Sequence, residues 1–214
     1  MSEQKLTSLG KAMAKQMARS WEAPQFQLYT TVRCGGLIAR RESLDYRPSY
    51  TTLLAKLTAD VLKDFPLLNA SWADGTKVEL NESVNMGIAV DTPRGLLVPV
   101  IPDAQAKTLE EIHQEMQAIK GKKGMFSLAD LTGGTFVISN LGIFNVTMFS
   151  AIVNAPNAAI LSVGKMMDTP VWRDGAFACE KTMNLGLCLD HRIVDGATGA
   201  KFLTALVERL ENPQ

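Results

Sequence analysis

The chain has 214 residues, enough for one sizeable domain or two small ones, and its apolar segments are spread evenly, which favours one. Hydrophobic residues make up 46% and charged residues 21%, a balance that supports a packed core and argues against long disorder. Lys plus Arg equals Asp plus Glu at 22 each, so the overall field gives no reason to invoke nucleic acid or an anionic membrane. No apolar run is long enough to span a bilayer, and Met1 to Lys5 lacks the apolar core of a signal peptide, so a cytoplasmic protein is expected. Cys34, Cys179 and Cys188 are odd in number and unpaired in spacing, which predicts buried reduced thiols.

From Leu6 to Trp21 the spacing of Leu6, Leu9, Met13 and Met17 predicts an amphipathic helix, ended by Pro24. Phe26 to Cys34 is aromatic and β-branched and reads as a strand closing at Gly35-Gly36. After a short connection, Ser49 or Thr51 caps a helix with Leu53, Leu54, Leu57, Val61 and Leu62 on one stripe. Asp74-Gly75 and Asp174-Gly175 mark hairpins. Val84 to Val90 alternates as a strand, and Leu96 to Ile101 reads as another, with an irregularity at Pro99 because proline has no ladder donor. Thr108 and Glu111 form a capping box for a helix that ends at Lys120-Gly121. Gly121 to Gly124 reads as a solvated basic loop, and Ser127 to Asp130 begins a helical turn. Two further strands run from Thr135 to Asn140 and from Ala158 to Gly164.

The last strand has an apolar face of Met183, Leu185, Leu187 and Leu189 and a face of small residues, Asn184, Gly186 and Cys188. It ends at Asp190-His191-Arg192, and a helix with Phe202, Leu203, Leu206, Val207 and Leu210 on one stripe follows from Ala197. Of the two histidines, His113 sits on a charged helix face and reads as solvated. His191 lies where strand gives way to helix, beside Asp190 and four residues before Asp195, a place suited to proton transfer near neutral pH. Spacing alone leaves a histidine that merely completes a turn equally open. Ser139 ends a strand at a loop, where a hydroxyl can face a ligand. Helices and strands mix without strict alternation, which predicts an α/β (α+β) two-layer sandwich with a mixed sheet. No P-loop or dinucleotide glycine motif occurs.

Asp190-His191-Arg192-Ile193-Val194-Asp195-Gly196 resembles the His-x-x-x-Asp-Gly signature of the 2-oxo acid dehydrogenase acyltransferases, the dihydrolipoamide acyltransferase catalytic domains, which share the chloramphenicol acetyltransferase fold. Asn69 to Trp72, Gly95 to Val100, Gly133 to Gly142 and Phe149 to Pro156 agree in order and spacing, so the likeness runs from about Leu6 to Pro213. It implies one catalytic domain over 1–214, with no lipoyl or subunit-binding domain in this chain, whether excised or stand-alone. It implies acyl transfer between dihydrolipoamide and coenzyme A, the lipoyl group arriving on another domain or chain, with no metal. His191 would be the base, Ser139 the oxyanion donor and Asp195 a holder of the loop. The resemblance further implies a homotrimer with the site between subunits, a larger core, and 2-oxo acid dehydrogenase components as partners. Phe144, Met148 and Phe149 are candidate pocket walls and equally candidate core residues. The family's arginine in the opening helix, expected to pair with Asp195, is replaced by Gly10, and a common Pro-His by Pro24-Gln25. Two other readings are an acyl-coenzyme A transferase acting on another small acceptor and a trimeric scaffold whose chemistry has lapsed.

Overall fold

The computed structural model describes residues 3, 5–73, 75–173 and 175–213. Helix α1 (Ser8–Trp21) is capped by Thr7, whose hydroxyl accepts the Gly10 N–H at 3.1 Å. Strand β1 (Gln25–Arg33) leads to α2 (Gly35–Glu42) and then to α3 (Tyr50–Leu62), capped by Ser49 through the Thr52 N–H. Strands β2 (Ala70–Ala73) and β3 (Lys77–Leu80) form a hairpin. Strands β4 (Met86–Ile88), β5 (Val90–Thr92), β6 (Gly95–Leu97) and β7 (Val100–Ile101) follow. Helix α4 (Leu109–Gly121) opens with both halves of the Thr108–Glu111 capping box. Strands β8 (Phe136–Asn140), β9 (Ala159–Val163), β10 (Met167–Arg173) and β11 (Ala176–Asp190) precede the last helix, α5 (Gly196–Glu211).

The main sheet runs β1-β11-β9-β8-β4-β7, with β10 on the outer half of β11. The β4–β8 and β8–β9 pairs are parallel and the rest antiparallel, so the sheet is mixed as expected. Its register sets one face against the helices: Leu185, Leu187 and Leu189 of β11 are fully buried with Leu54, Phe136 and Phe202. Each such leucine contributes roughly 1.5–3 kcal/mol by leaving water. The other face holds a smaller cluster of Val137, Ile160 and Cys188, covered by Val153 of the segment before β9.

Four expectations are corrected. The connection after Gly35-Gly36 is helix α2, because Gly36 permits close approach: a Cβ there would lie 2.1 Å from the Glu211 carbonyl oxygen at the end of α5. Val84 to Val90 is not one strand, nor is Leu96 to Ile101. The break at Val98-Pro99 lets β5 and β6 pair with each other as a separate hairpin, while β4 and β7 stay in the main sheet. His113 is half-buried against Tyr46, ring centroids 5.0 Å apart, rather than solvated. Cys179 is exposed, so burial holds for Cys34 and Cys188 alone. Asp74 and Asp174, the leading residues of the two expected turns, lie outside the described residues.

Candidate active site

The chain leaves β11 at Asp190 and turns sharply, because the Asp190 carbonyl accepts both the Ile193 and Val194 N–H groups at 3.0 Å. Val194 is fully buried and Ile193 nearly so, which pins the turn to the core. His191 is thereby left on the surface, its backbone N–H donating to the Pro24 carbonyl at 2.9 Å. Its ring lies 4.5 Å from that of Phe26, tilted by 41°. An exposed imidazole on a rigid base, with an aromatic ring beside it, is free to exchange protons with an incoming group.

Asp190 anchors the other side. Its carboxylate is 2% exposed and accepts from three donors of Arg192: the backbone N–H at 3.0 Å, Nε at 2.9 and 3.1 Å to the two oxygens, and Nη2 at 2.6 Å. The guanidinium lies 4.5 Å over the Trp72 ring, so the β2 strand is tied to the histidine turn by stacking. The pair holds the Arg192 guanidinium above its ordinary pKa, chiefly through the hydrogen bond to Asp190. A cleft of about 400 Å³ opens beside the turn, its lining including Arg19, Glu22, Trp72 and Arg192.

Asp195 is the N-cap of α5, its carboxylate accepting the Thr198 N–H at 2.7 Å. That bond, then the Thr198 hydroxyl, and to a smaller degree the nearby His191, hold the Asp195 carboxyl below the usual carboxylate range. Among the described residues no cation forms an ion pair with it, and its hydrogen bonds are those of the helix cap. The amide of Gln25 bridges three elements: it donates to the Ser20 carbonyl at 2.8 Å and accepts from the Val153 N–H at 2.9 Å and the Cys188 thiol at 3.2 Å.

Ser139 is half-buried at the end of β8, on the sheet face away from the helices, and among the described residues its hydroxyl has no hydrogen-bond partner. The loop after it is tightly held. Lys165 donates its backbone N–H to the Val146 carbonyl, Asn184 donates to Thr147, and Ser162 to Phe149. Asn145 adopts a left-handed φ of 62°, which asparagine tolerates where glycine is usual. Ile143, Phe144 and Met148 nevertheless project outward, 83%, 54% and 51% exposed, and Phe149 is half-buried.

The fold does not bring Ser139 to His191 within one chain. Ser139 is level with Ser162, which is level with Gly186, five residues before His191 on β11. Two strand spacings across and five residues along place them roughly 20 Å apart. The sequence does not single out Arg192, Trp72 or Phe26 as site residues. Arg192, two positions from Asp190, carries a local signal, whereas Trp72 and Phe26 meet the turn only through the fold. Among the described residues no group of three or more His, Cys, Asp or Glu side chains is placed to hold a metal, and no helix is long and apolar enough to cross a membrane.

The mixed sheet covered by helices on one face is the chloramphenicol acetyltransferase-like fold: the chain superposes on chloramphenicol acetyltransferase with a TM-score of 0.63 at 15% identity, covering 99% of both chains. Within that fold the chain belongs to the 2-oxoacid dehydrogenases acyltransferase (catalytic domain) family, whose model matches residues 1–214. It is 33% identical to the dihydrolipoyllysine-residue acetyltransferase component of the Bacillus subtilis pyruvate dehydrogenase complex, over 100% of this chain and 51% of that protein. The chain thus spans about half the length of that relative. Dihydrolipoamide acetyltransferase of Azotobacter vinelandii superposes with a TM-score of 0.93 at 33% identity, covering 99% of this chain and 92% of that one. That structure addresses the role of a serine, a histidine and an asparagine in its catalytic mechanism; the serine precedes the histidine by 52 positions and the asparagine follows it by four. The cubic core of a pyruvate dehydrogenase multienzyme complex superposes with a TM-score of 0.90 at 34% identity, covering 99% and 92% of the two chains.

Proposed function

We propose that residues 1–214 form one acyltransferase catalytic domain that moves an acyl group between dihydrolipoamide and coenzyme A, the lipoyl arm coming from another domain or chain. The observation that carries this reading is the spacing of Ser139 and His191, 52 positions apart as in the Azotobacter vinelandii enzyme, with Asp195 at the place of its asparagine. Their separation of roughly 20 Å in one chain supports a site completed by a second copy, its serine facing this histidine. A homotrimer, built further into a core such as the cubic one of the relative, supplies that arrangement. The exposed Ile143, Phe144 and Met148 beside Ser139 then become interface and acyl-pocket residues.

In the reaction the thiol of coenzyme A attacks the thioester carbonyl on the lipoyl arm, and His191 takes the thiol proton. A free thiol has a pKa of roughly 8.5, so a positioned base is useful and is worth about 10²- to 10⁴-fold. The tetrahedral oxyanion accepts a hydrogen bond from the Ser139 hydroxyl, whose loss costs about 10²- to 10³-fold. The intermediate then expels the lipoyl thiolate, which takes the proton back from His191. Asp195 orders the start of α5 and so the turn that carries the histidine. A cytoplasmic setting keeps both thiol substrates reduced.

The test is acyl transfer from acetyl-, propionyl- and branched acyl-coenzyme A to free dihydrolipoamide, with His191→Ala and Ser139→Ala. Each variant loses about two orders of magnitude or more while folding as the parent does. Mixing the two inactive variants by unfolding and refolding together restores activity toward about one quarter of the parent, since about one random interface in four joins an intact histidine to an intact serine. No recovery in verified mixed oligomers would place both residues in one chain's site and overturn the reading.

A further inference from the structure

Far from the histidine turn, four helices converge on a cavity of about 230 Å³. Arg40 reaches it from the last turn of α2, Lys56 from α3 and Arg209 from the last turn of α5, while Leu53, Leu57 and Leu109 give it an apolar wall. Asp60 is the carboxylate in the lining, and Lys56 already holds it at 2.7 Å. Among the described residues neither Arg40 nor Arg209 forms an ion pair, and Arg40 Nε is buried without a hydrogen-bond partner. The lining therefore has three cations and one anion. Two guanidinium groups without an ion-pair partner thus border a partly enclosed apolar space, Arg209 also facing Asp64 and Glu208 across the adjoining surface, and charge in such a space is screened less than in open water. A buried donor with no acceptor adds a cost of its own.

We propose that this cavity binds a small phosphate monoester. The net double positive charge matches a dianion, and planar guanidinium forks suit tetrahedral oxyanions. The leucine wall takes a short hydrocarbon or aromatic body. The volume is below the roughly 300–1,000 Å³ of sites for drug-sized ligands, so the ligand is small. Arg209 lies 14 residues along α5 from Asp195, about 20 Å at 1.5 Å per residue, so binding here and chemistry at His191 are separable.

The experiment is isothermal titration of the full chain with phenyl phosphate and with inorganic phosphate, for the parent, Arg40→Gln, Arg209→Gln and, as a control cation elsewhere, Arg94→Gln. Phenyl phosphate is expected to bind saturably at one site per chain and more tightly than inorganic phosphate. Either cavity variant weakens it about 10-fold or more, while Arg94→Gln leaves it unchanged. Acyl transfer without added phosphate stays at the parent level in Arg209→Gln, showing that this variant is folded, so its loss of affinity decides the matter if Arg40→Gln folds poorly. Absence of saturable binding, affinity unchanged in Arg209→Gln, or equal losses in Arg94→Gln would overturn the proposal.

Discussion

Replacing Arg192 by methionine keeps an unbranched apolar stem over Trp72 but leaves the Asp190 carboxylate, 2% exposed, without its cation. Breaking a buried pair by removing one partner costs about 3–5 kcal/mol, because the desolvated charge is left uncompensated. For a domain of 214 residues the unfolding entropy is about 0.45 kcal/mol per degree near the midpoint, so the melting temperature falls by about 7–11 °C. Asp190→Asn in the same chain removes the stranded charge and recovers at least about 2 kcal/mol of this. Arg192→Lys falls between, keeping the charge but losing the fork and the stacking. Denaturation followed by circular dichroism gives the stability of the four proteins, and acyl transfer on the folded fraction reports whether His191 has moved. If His191 is the base proposed above, turnover in Arg192→Met drops about 10²-fold, the effect of a displacement near 1 Å in a reacting group. A loss of less than about 1 kcal/mol in Arg192→Met, or no recovery in the double variant, would show that the Asp190–Arg192–Trp72 stack does not hold the turn.

Other expectations concern parts further from the histidine. Gly164→Ala would put a Cβ 2.0 Å from the Thr147 carbonyl oxygen, so the loop after Ser139 must shift; a loss of about 1–3 kcal/mol in urea unfolding is expected, with reduced acyl transfer. Burial pushes the Cys34 thiol up to about 11 and raises Cys188, whereas Cys179 is exposed, so an aromatic disulfide reagent at pH 8 labels one thiol per native chain, at Cys179, and three after unfolding. The Lys122 ammonium, then the Ser127 N–H and hydroxyl, hold the Asp130 carboxyl at about 2. Its folded value lies below the unfolded one, so its contribution is present above roughly pH 4 and disappears as the pH falls toward 2. Asp130→Asn should therefore show a shallower loss of stability over that window, measured by denaturant titration at each pH.

Much of this architecture is legible from residues a few positions apart. The Thr108–Glu111 box, the Ser49 cap and the alternation along β11 are local devices, and each forms where its spacing predicts. Pro99 marks its break for the local reason that it lacks an N–H. Features set by distant partners are not legible. Gly35-Gly36 reads as a stop, yet Gly36 serves the close contact with Glu211, 175 positions away. His113 reads as solvated because its neighbours in sequence are charged, while Tyr46 half-covers it. At the candidate site, His191 and Ser139 stand out by position and by resemblance, whereas the Trp72 stacking depends on how the β2–β3 hairpin folds against the turn.

The place of β11 in the sheet also governs the order of assembly. It is the last strand in the chain, yet it lies between β1 and β9, and its pairing with β1 joins residues 25–33 to 182–190. Until the ribosome has released the chain through Asp190, β1 has no partner in the main sheet and β9 lacks its β11 neighbour. Such long-range pairing slows folding and lengthens the exposure of unpaired strands. The nascent chain therefore waits, and the strand that delivers the histidine is also the one whose arrival closes the sheet.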